Sequence, residues 1–403
     1  MEVIAEGLDF QGLGIVKSDK IYFIENLLPG EKAIIEVIED KKTHAFGRVV
    51  KHLTLSENRV MAYPLSYAPL SHLSYQKQLR HQEKITQETF NKIANINIET
   101  NPILFDKKTH YKNKIVLHVK KGEFLSVGTY KAKSHILESV DKHLLATPKI
   151  NQVIIELNQI FTTNNLTDDS LKQIQIKSAD EILITFITNK PWQEKHYFKH
   201  LNYNLVIKEN NKIIPFKGNP YIKLNFMNKQ FKLYSDTFFQ TNYNVAETMF
   251  DHIKDEVSGV LVDAYAGAAT IGILLADKAT HIYSIESNQT SYLSGLEAIQ
   301  DNNIKNITPI HGKVEDKLNE LEFNTLIIDP PRAGLHHSLI DVIKEKQPDK
   351  IIYISCNLRT LTRDINLLKD TYKIKSVTPV SMFPQTIETE TIVILTKMEA
   401  FLL

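Results

Sequence analysis

"GVLVDAYAGAATIG", residues 259–272, decides the fold. A β-rich apolar run passes Asp263, reaches a tight turn at Gly267, and gives way to "TIGILLADKA", which has helical spacing. Strand, glycine turn and helix make the opening unit of an alternating sheet. The alternation continues downstream. "HIYSIES", "NITPIHG", "NTLIIDPP" and "KIIYISC" read as strands. "SYLSGLEAIQDNN", "VEDKLNEL", "HHSLIDVIKEK" and "TLTRDINLLKD" read as the helices that follow them. "YKIKSVTPV" and "TETIVILTK" close the set. Strict alternation predicts a parallel sheet covered by helices on both faces.

Seven strands ending in a hairpin-like pair is the layout of the methyltransferase variant of the doubly wound α/β fold. Ligands in such sheets lie beyond the carboxyl ends of the strands, at the switch in strand order. The turn after the first strand lacks the glycines of a dinucleotide fingerprint, since Ala268 and Ala269 stand there, and it lacks the Gly-Lys-Ser/Thr end of a phosphate loop. A close turn without a pyrophosphate cradle suits a cofactor without phosphates, such as S-adenosylmethionine. Glu286 lies 23 residues after Asp263, where an acidic side chain holds a ribose hydroxyl pair. Capping of the next helix is the plainer role for it. "IIDPPRAG" ends the fourth strand, and its prolines after Asp329 make a rigid edge without donors.

The chain's only cysteine, Cys356, falls where the fifth strand meets a helix. A lone cysteine is commonly an inert core residue. Next to a ligand edge and just before a helix N-terminus it reads as a thiol of lowered pKa. Beside a methyl donor, such a thiol can add to C6 of a pyrimidine and make C5 nucleophilic. A base must then take the C5 proton. Glu390 opens the last strand on the same edge, and Glu388, of the same parity, is its rival.

The remainder of the 403 residues leaves room for further domains. Residues 1–55 read as short strands punctuated by "LLPGEK", a small antiparallel barrel. "QKQLRHQEKITQETFNKIANI" has helical spacing, and residues 100–220 are mixed and strand-rich. A net charge of +1 announces no nucleic-acid partner, but Asp106 to Lys133 holds eight lysines against two carboxylates, either a solvated face or a stripe for phosphates. One cysteine excludes a disulfide framework and any multi-thiolate metal site, so no metal is expected. The start lacks the features of a signal peptide, and no run is long and unbroken enough to span a membrane. The expectation is a cytoplasmic protein.

"FFQTN", "DAYAG", "IIDPPRAG", "YISCNLRTLTRDI" and "FPQTIETETIVIL", in this order, resemble the motifs of the RNA uracil-5 methyltransferases, the group that makes 5-methyluridine in 23S rRNA and tRNA. "YKNKIVLHV" and "VGTYKAKSH" resemble the family's central RNA-facing domain, and the first residues its TRAM-type barrel. The resemblance implies a barrel over 1–55, a central mixed α+β domain over 56–225, and an S-adenosylmethionine-dependent methyltransferase domain over 226–403. It implies Cys356 as nucleophile and Glu390 as base. It also implies that Gln240, Tyr265, Glu286 and Asp329 face the methyl donor, beside Gly267, whose lack of a Cβ lets the backbone approach a ligand closely.

The implied substrate is a uridine of 23S rRNA, with a tRNA uridine second. An RNA-binding factor without catalysis on the same scaffold is the alternative of another class, and retention of the cysteine argues against it. Many members hold an iron–sulfur cluster on four cysteines. This chain has none of the three that precede a segment like "PLSHLSYQKQL", and the fourth falls near His143, so no cluster is expected. Glu388 is a second departure, since the family usually has histidine there.

Overall fold

The structure, a computed structural model, describes residues 1–130, 134 and 136–399. The strands Glu2–Ile4, Gly7–Leu8, Gly14–Lys17, Ile21–Glu25, Lys32–Asp40 and His44–Thr54 form one six-stranded sheet. Alternating residues such as Val16, Tyr22, Ile24, Ala33, Ile35 and Ala45 point into its core. The sheet is not wholly antiparallel, because Ile21–Glu25 pairs parallel with His44–Thr54. The strand between them in sequence lies on the far side of His44–Thr54, so two strands of like direction meet directly. Arg59 locks this unit to the loop that follows. Its Nε donates to Glu31 Oε1 at 2.6 Å and its Nη2 to Oε2 at 2.7 Å. Glu31 is fully buried and also accepts from Leu28 N and Ser56 N, so the charge is paired and its remaining lone pairs are used.

A second, seven-stranded sheet is built from strands between Lys114 and Lys217. The helix Pro148–Thr163 covers it, capped by Thr147 and carrying Ile150, Val153, Ile154 and Leu157 into the core. The lysine-rich stretch is divided here. Lys107, Lys108, Lys120 and Lys121 are exposed, whereas Lys112 and Lys114 are half-buried. Lys131 and Lys133 lie outside the described residues. Tyr67 stacks on the buried His143 at 3.9 Å between ring centroids, and Ala68, Tyr111 and Leu145 form a small apolar core beside them. Packing thus closes this region around His143.

The third unit matches the predicted doubly wound layout. Its order is Ile307–His311, His281–Glu286, Val260–Ala264, Thr325–Ile328, Lys350–Ser355, Glu390–Lys397, Tyr372–Val380. The first five run parallel, and Glu390–Lys397 is antiparallel to both its neighbours. The order reverses between Val260–Ala264 and Thr325–Ile328, which is where a ligand crevice opens. Strands buried on both faces explain their near-continuous apolar sequences. The helix Tyr75–Ala94, which the sequence reading groups with the central domain, packs on helix Leu358–Leu368 of this unit and buries Phe90 beside Tyr353, Leu361 and Ile365. Among the described residues no helix is long and apolar enough to cross a membrane.

Candidate active site

A cavity of about 480 Å³ opens over the switch point. Gln240, Tyr265, Gly267, Asp329, Cys356 and Glu390 all line it, with Arg332 and Glu388. Each reaches it through a local device. Asp263, fully buried, accepts from Gly272 N at 2.9 Å and so fixes the start of the helix Thr270–Leu274 under the turn. Burial pushes its carboxyl up to about 7. The turn itself is strained, with positive φ at Tyr265, Gly267 and Ala269. At Gly267 (φ +57°) a Cβ would meet no protein atom within 4 Å, so the space over the turn is open to a ligand. Tyr265 is oriented by its hydroxyl, which donates to Glu315 at 2.9 Å.

Glu286 is the one predicted site residue that does not line this cavity. Its carboxylate sits at the strand end, accepts from Gly267 N at 2.8 Å and also accepts from Asn288 N.

Cys356 follows the strand Lys350–Ser355 directly and is half-exposed. Asn357 caps the helix Leu358–Leu368 after it, and its Nδ2 donates to the Arg332 carbonyl at 2.8 Å. The "DPPR" edge and the thiol are thereby held together. In the antiparallel pairing Ser355 faces Thr391, the chain neighbours of Cys356 and Glu390, and both of these side chains line the cavity. The expectation of a lowered thiol pKa does not hold in this state. Burial, then the nearby Glu390, push the Cys356 thiol up, and Arg332 only partly opposes them.

The two glutamates are distinguished by their surroundings. Glu390 is 4% exposed, whereas Glu388 is ion-paired with Arg332 at the mouth. Burial pushes Glu390 well above the carboxylate range, and nearby Asp329 and Glu388 add to the effect. Burial raises Asp329 to about 7 as well. Two like carboxyls in one desolvated place hold a proton between them more tightly than either does alone.

Two sets of positioning residues escaped the sequence reading. Gln78 and Gln82 lie on the buried face of helix Tyr75–Ala94. Gln78 exchanges hydrogen bonds with Gln385, and Gln82 Nε2 donates to the Glu388 carbonyl at 3.3 Å. Glutamines at i and i+4 on an otherwise apolar face were the available signal. The other set comes from the central sheet. Gln175 Nε2 donates to Ser235 O at 2.7 Å, Asn113 Nδ2 to Gln240 O at 3.1 Å, and Lys177 Nζ to Thr237 O at 2.7 Å. Lys177 also donates to Tyr234 O. These contacts clamp the backbone that carries Phe238, Phe239 and Gln240 into the cavity.

Lys177 is 4% exposed, and burial, followed by the charge of Lys114, lowers its pKa to about 7. Replacing it with methionine removes both hydrogen bonds, so the Thr237 carbonyl loses its donor and the Tyr234 carbonyl keeps only Thr237 N at 3.3 Å. We expect Lys177→Met to lower kcat/KM for methyl transfer by about 10²-fold, the effect of a misplaced active-site segment. Lys177→Gln, which keeps a donor, should recover a substantial part of it. Tritium incorporation into RNA measures both, and full activity in the methionine variant contradicts the clamp.

The doubly wound sheet, the open glycine turn at its switch point and the cavity shared by a thiol and buried carboxyls define the class as a methyltransferase. The model of the family described as tRNA (Uracil-5-)-methyltransferase matches residues 74–398, and that of the TRAM domain matches residues 1–50. An uncharacterized RNA methyltransferase of Enterococcus faecalis is 30% identical, with 98% of this chain and 97% of the relative covered. Another from Staphylococcus aureus is 29% identical over 96% of this chain and 95% of its own. The crystal structure of Pyrococcus abyssi tRNA (uracil-54, C5)-methyltransferase in complex with S-adenosyl-L-homocysteine superposes with a TM-score of 0.82 at 21% identity, covering 98% of this chain and 100% of that one. The chain belongs to the tRNA (uracil-5-)-methyltransferase family, the S-adenosylmethionine-dependent RNA uracil-5 methyltransferases, and carries a TRAM domain at its N-terminus.

Proposed function

We propose that this enzyme methylates C5 of a uridine in 23S rRNA through a covalent bond between Cys356 Sγ and C6 of the target ring. The observation that carries this reading is that the chain's single thiol and the buried Glu390 line one cavity over the switch point, each next to the paired Ser355 and Thr391. The Cys356 thiolate forms the S–C6 bond, and the electron pair of the C5=C6 bond moves onto C5 and the O4 carbonyl as an enolate. When bound, S-adenosylmethionine supplies an electrophilic methyl group, which C5 takes while the electron pair of the broken carbon–sulfur bond stays on sulfur. Glu390, in its ionised form, removes the C5 proton. The released pair re-forms C5=C6 and expels the Cys356 thiolate.

Gln240, Tyr265, Gly267, Glu286 and Asp329 are assigned to the methyl donor. The open space over Gly267 supports a close backbone approach there, and the carboxylate of Glu286 at the strand end supports a ribose contact. We divide the chain into a barrel (1–55), a central RNA-facing domain (56–225) and a methyltransferase domain (226–403). The target ring has to leave its stack to enter such a cavity. The reading locates the enzyme in the cytoplasm with its RNA.

A tRNA uridine is the second reading. It is favoured by the Pyrococcus abyssi tRNA enzyme, whose architecture matches 98% of this chain, so a barrel of this kind does not by itself select rRNA. Two experiments test the proposal. With RNA carrying 5-fluorouridine and a tritiated methyl donor, fluorine replaces the proton that Glu390 must remove, so a denaturant-resistant protein–RNA adduct accumulates. No adduct, with RNA still bound, removes the covalent step. Mapping 5-methyluridine in a deletion strain then assigns the RNA, since the missing modification lies in 23S rRNA under the first reading and in tRNA under the second.

A further inference from the structure

The mouth of the cavity carries an ion pair that takes no step in the chemistry above, although Arg332 partly offsets the rise of the Cys356 thiol and Glu388 adds to that of Glu390. Arg332 Nη2 donates to Glu388 Oε1, and both side chains remain accessible, 64% and 36% exposed. Their backbones, in contrast, are fixed. The Arg332 carbonyl accepts from Asn357 Nδ2 at 2.8 Å and from Thr360 Oγ1 at 3.2 Å. Glu388 N donates to Thr386 Oγ1 at 3.3 Å, and its carbonyl accepts from Gln82. Two anchored segments therefore hold two movable side chains across the opening.

A second cation bears on the same carboxylate. Lys112 is half-buried, and the Glu388 charge partly offsets the effect of that burial on it. Glu388 thus pairs with the cation of the fourth-strand edge and lies near enough to Lys112 of the central region to act on it, at the entrance to a cavity whose substrate is a polyanion. An exposed pair of this kind contributes little to folding. Its place over the mouth calls for a role in entry.

We propose that Glu388 is a gating residue for the substrate. In the free enzyme its carboxylate occupies Arg332 in the place of an RNA phosphate, and the entering strand exchanges one anion for the other. The inference rests on the reading that RNA enters this cavity and that Cys356 and Glu390 do the chemistry.

Glu388→Gln keeps the shape and removes the charge. With unmethylated total RNA from a deletion strain as substrate, the apparent KM should fall about two- to fivefold, the scale of one exposed ion pair. The salt dependence of log KM should steepen by up to about 0.7, because no freed carboxylate then competes with the phosphate. In an Arg332→Gln background the same change at position 388 should lower KM clearly less, because the ion pair it releases is gone. An unchanged KM in Glu388→Gln, or an equal effect without Arg332, overturns the gate while leaving the covalent reading intact. Accumulation of a covalent RNA adduct in Glu388→Gln overturns the gate and the assignment of Glu390 as base, since Glu388 would then be the base, and leaves the Cys356 adduct standing.

Discussion

Cys356→Ala is expected to lose methyl transfer by at least about 10⁴-fold while still binding RNA within a few-fold of the parent. The loss is this large because no other thiol exists in the chain to take over C6. Alanine keeps the helix start, since the cap is the Asn357 side chain and not the sulfur. A gel shift with tritium incorporation separates binding from chemistry, and turnover surviving in this variant removes the nucleophile. The parent enzyme carries a matching pH signature. Its thiol is pushed up by burial and by Glu390, so the reactive thiolate is the minor form at neutral pH. Adduct formation with 5-fluorouridine RNA should therefore speed up as pH rises, by about tenfold per unit well below the thiol pKa.

The second large effect is expected at Glu390. Glu390→Gln should reduce turnover by about 10²–10⁴-fold, the range of a lost general base. It should nonetheless form the S–C6 bond and transfer the methyl group, so protein bound to methylated RNA accumulates on ordinary uridine. Denaturing electrophoresis reveals it as one labelled, slowly migrating band. Stability should not fall, because glutamine is isosteric and removes a carboxyl that burial already disfavours in charged form. If the band appears without the mutation, or appears only in Glu388→Gln, the base has been assigned to the wrong residue.

The site could be read in part from the chain because its parts are punctuation marks. Gly267, the prolines after Asp329 and the lone Cys356 all stand where an apolar run ends, and strand ends meet at one edge of a doubly wound sheet. Gln240, which also lines the cavity, was expected only through the resemblance of "FFQTN" to a family motif. Strand-end logic did not extend to the thiol's electrostatics. A helix end acts locally and was visible in sequence, whereas desolvation depends on everything packed around the sulfur. Nor did it reach Gln78, Gln82, Gln175 and Lys177. These lie well away from the segments they hold in the chain, and each looks like an ordinary polar residue until the pairing is known.

The amino-acid sequence by itself determined the alternating strands and helices from residue 259 onward, the turn without a pyrophosphate cradle, and the placing of one thiol and one glutamate at strand ends. Side-chain period and turn chemistry are local, so they survive being read in one dimension. Only the tertiary structure decided that Glu390 is enclosed beside Asp329 while Glu388 reaches Arg332 at the mouth. The two glutamates share parity and differ by two positions. Burial and charge partners separate their roles, and both are set by segments distant in sequence that fold against the same edge.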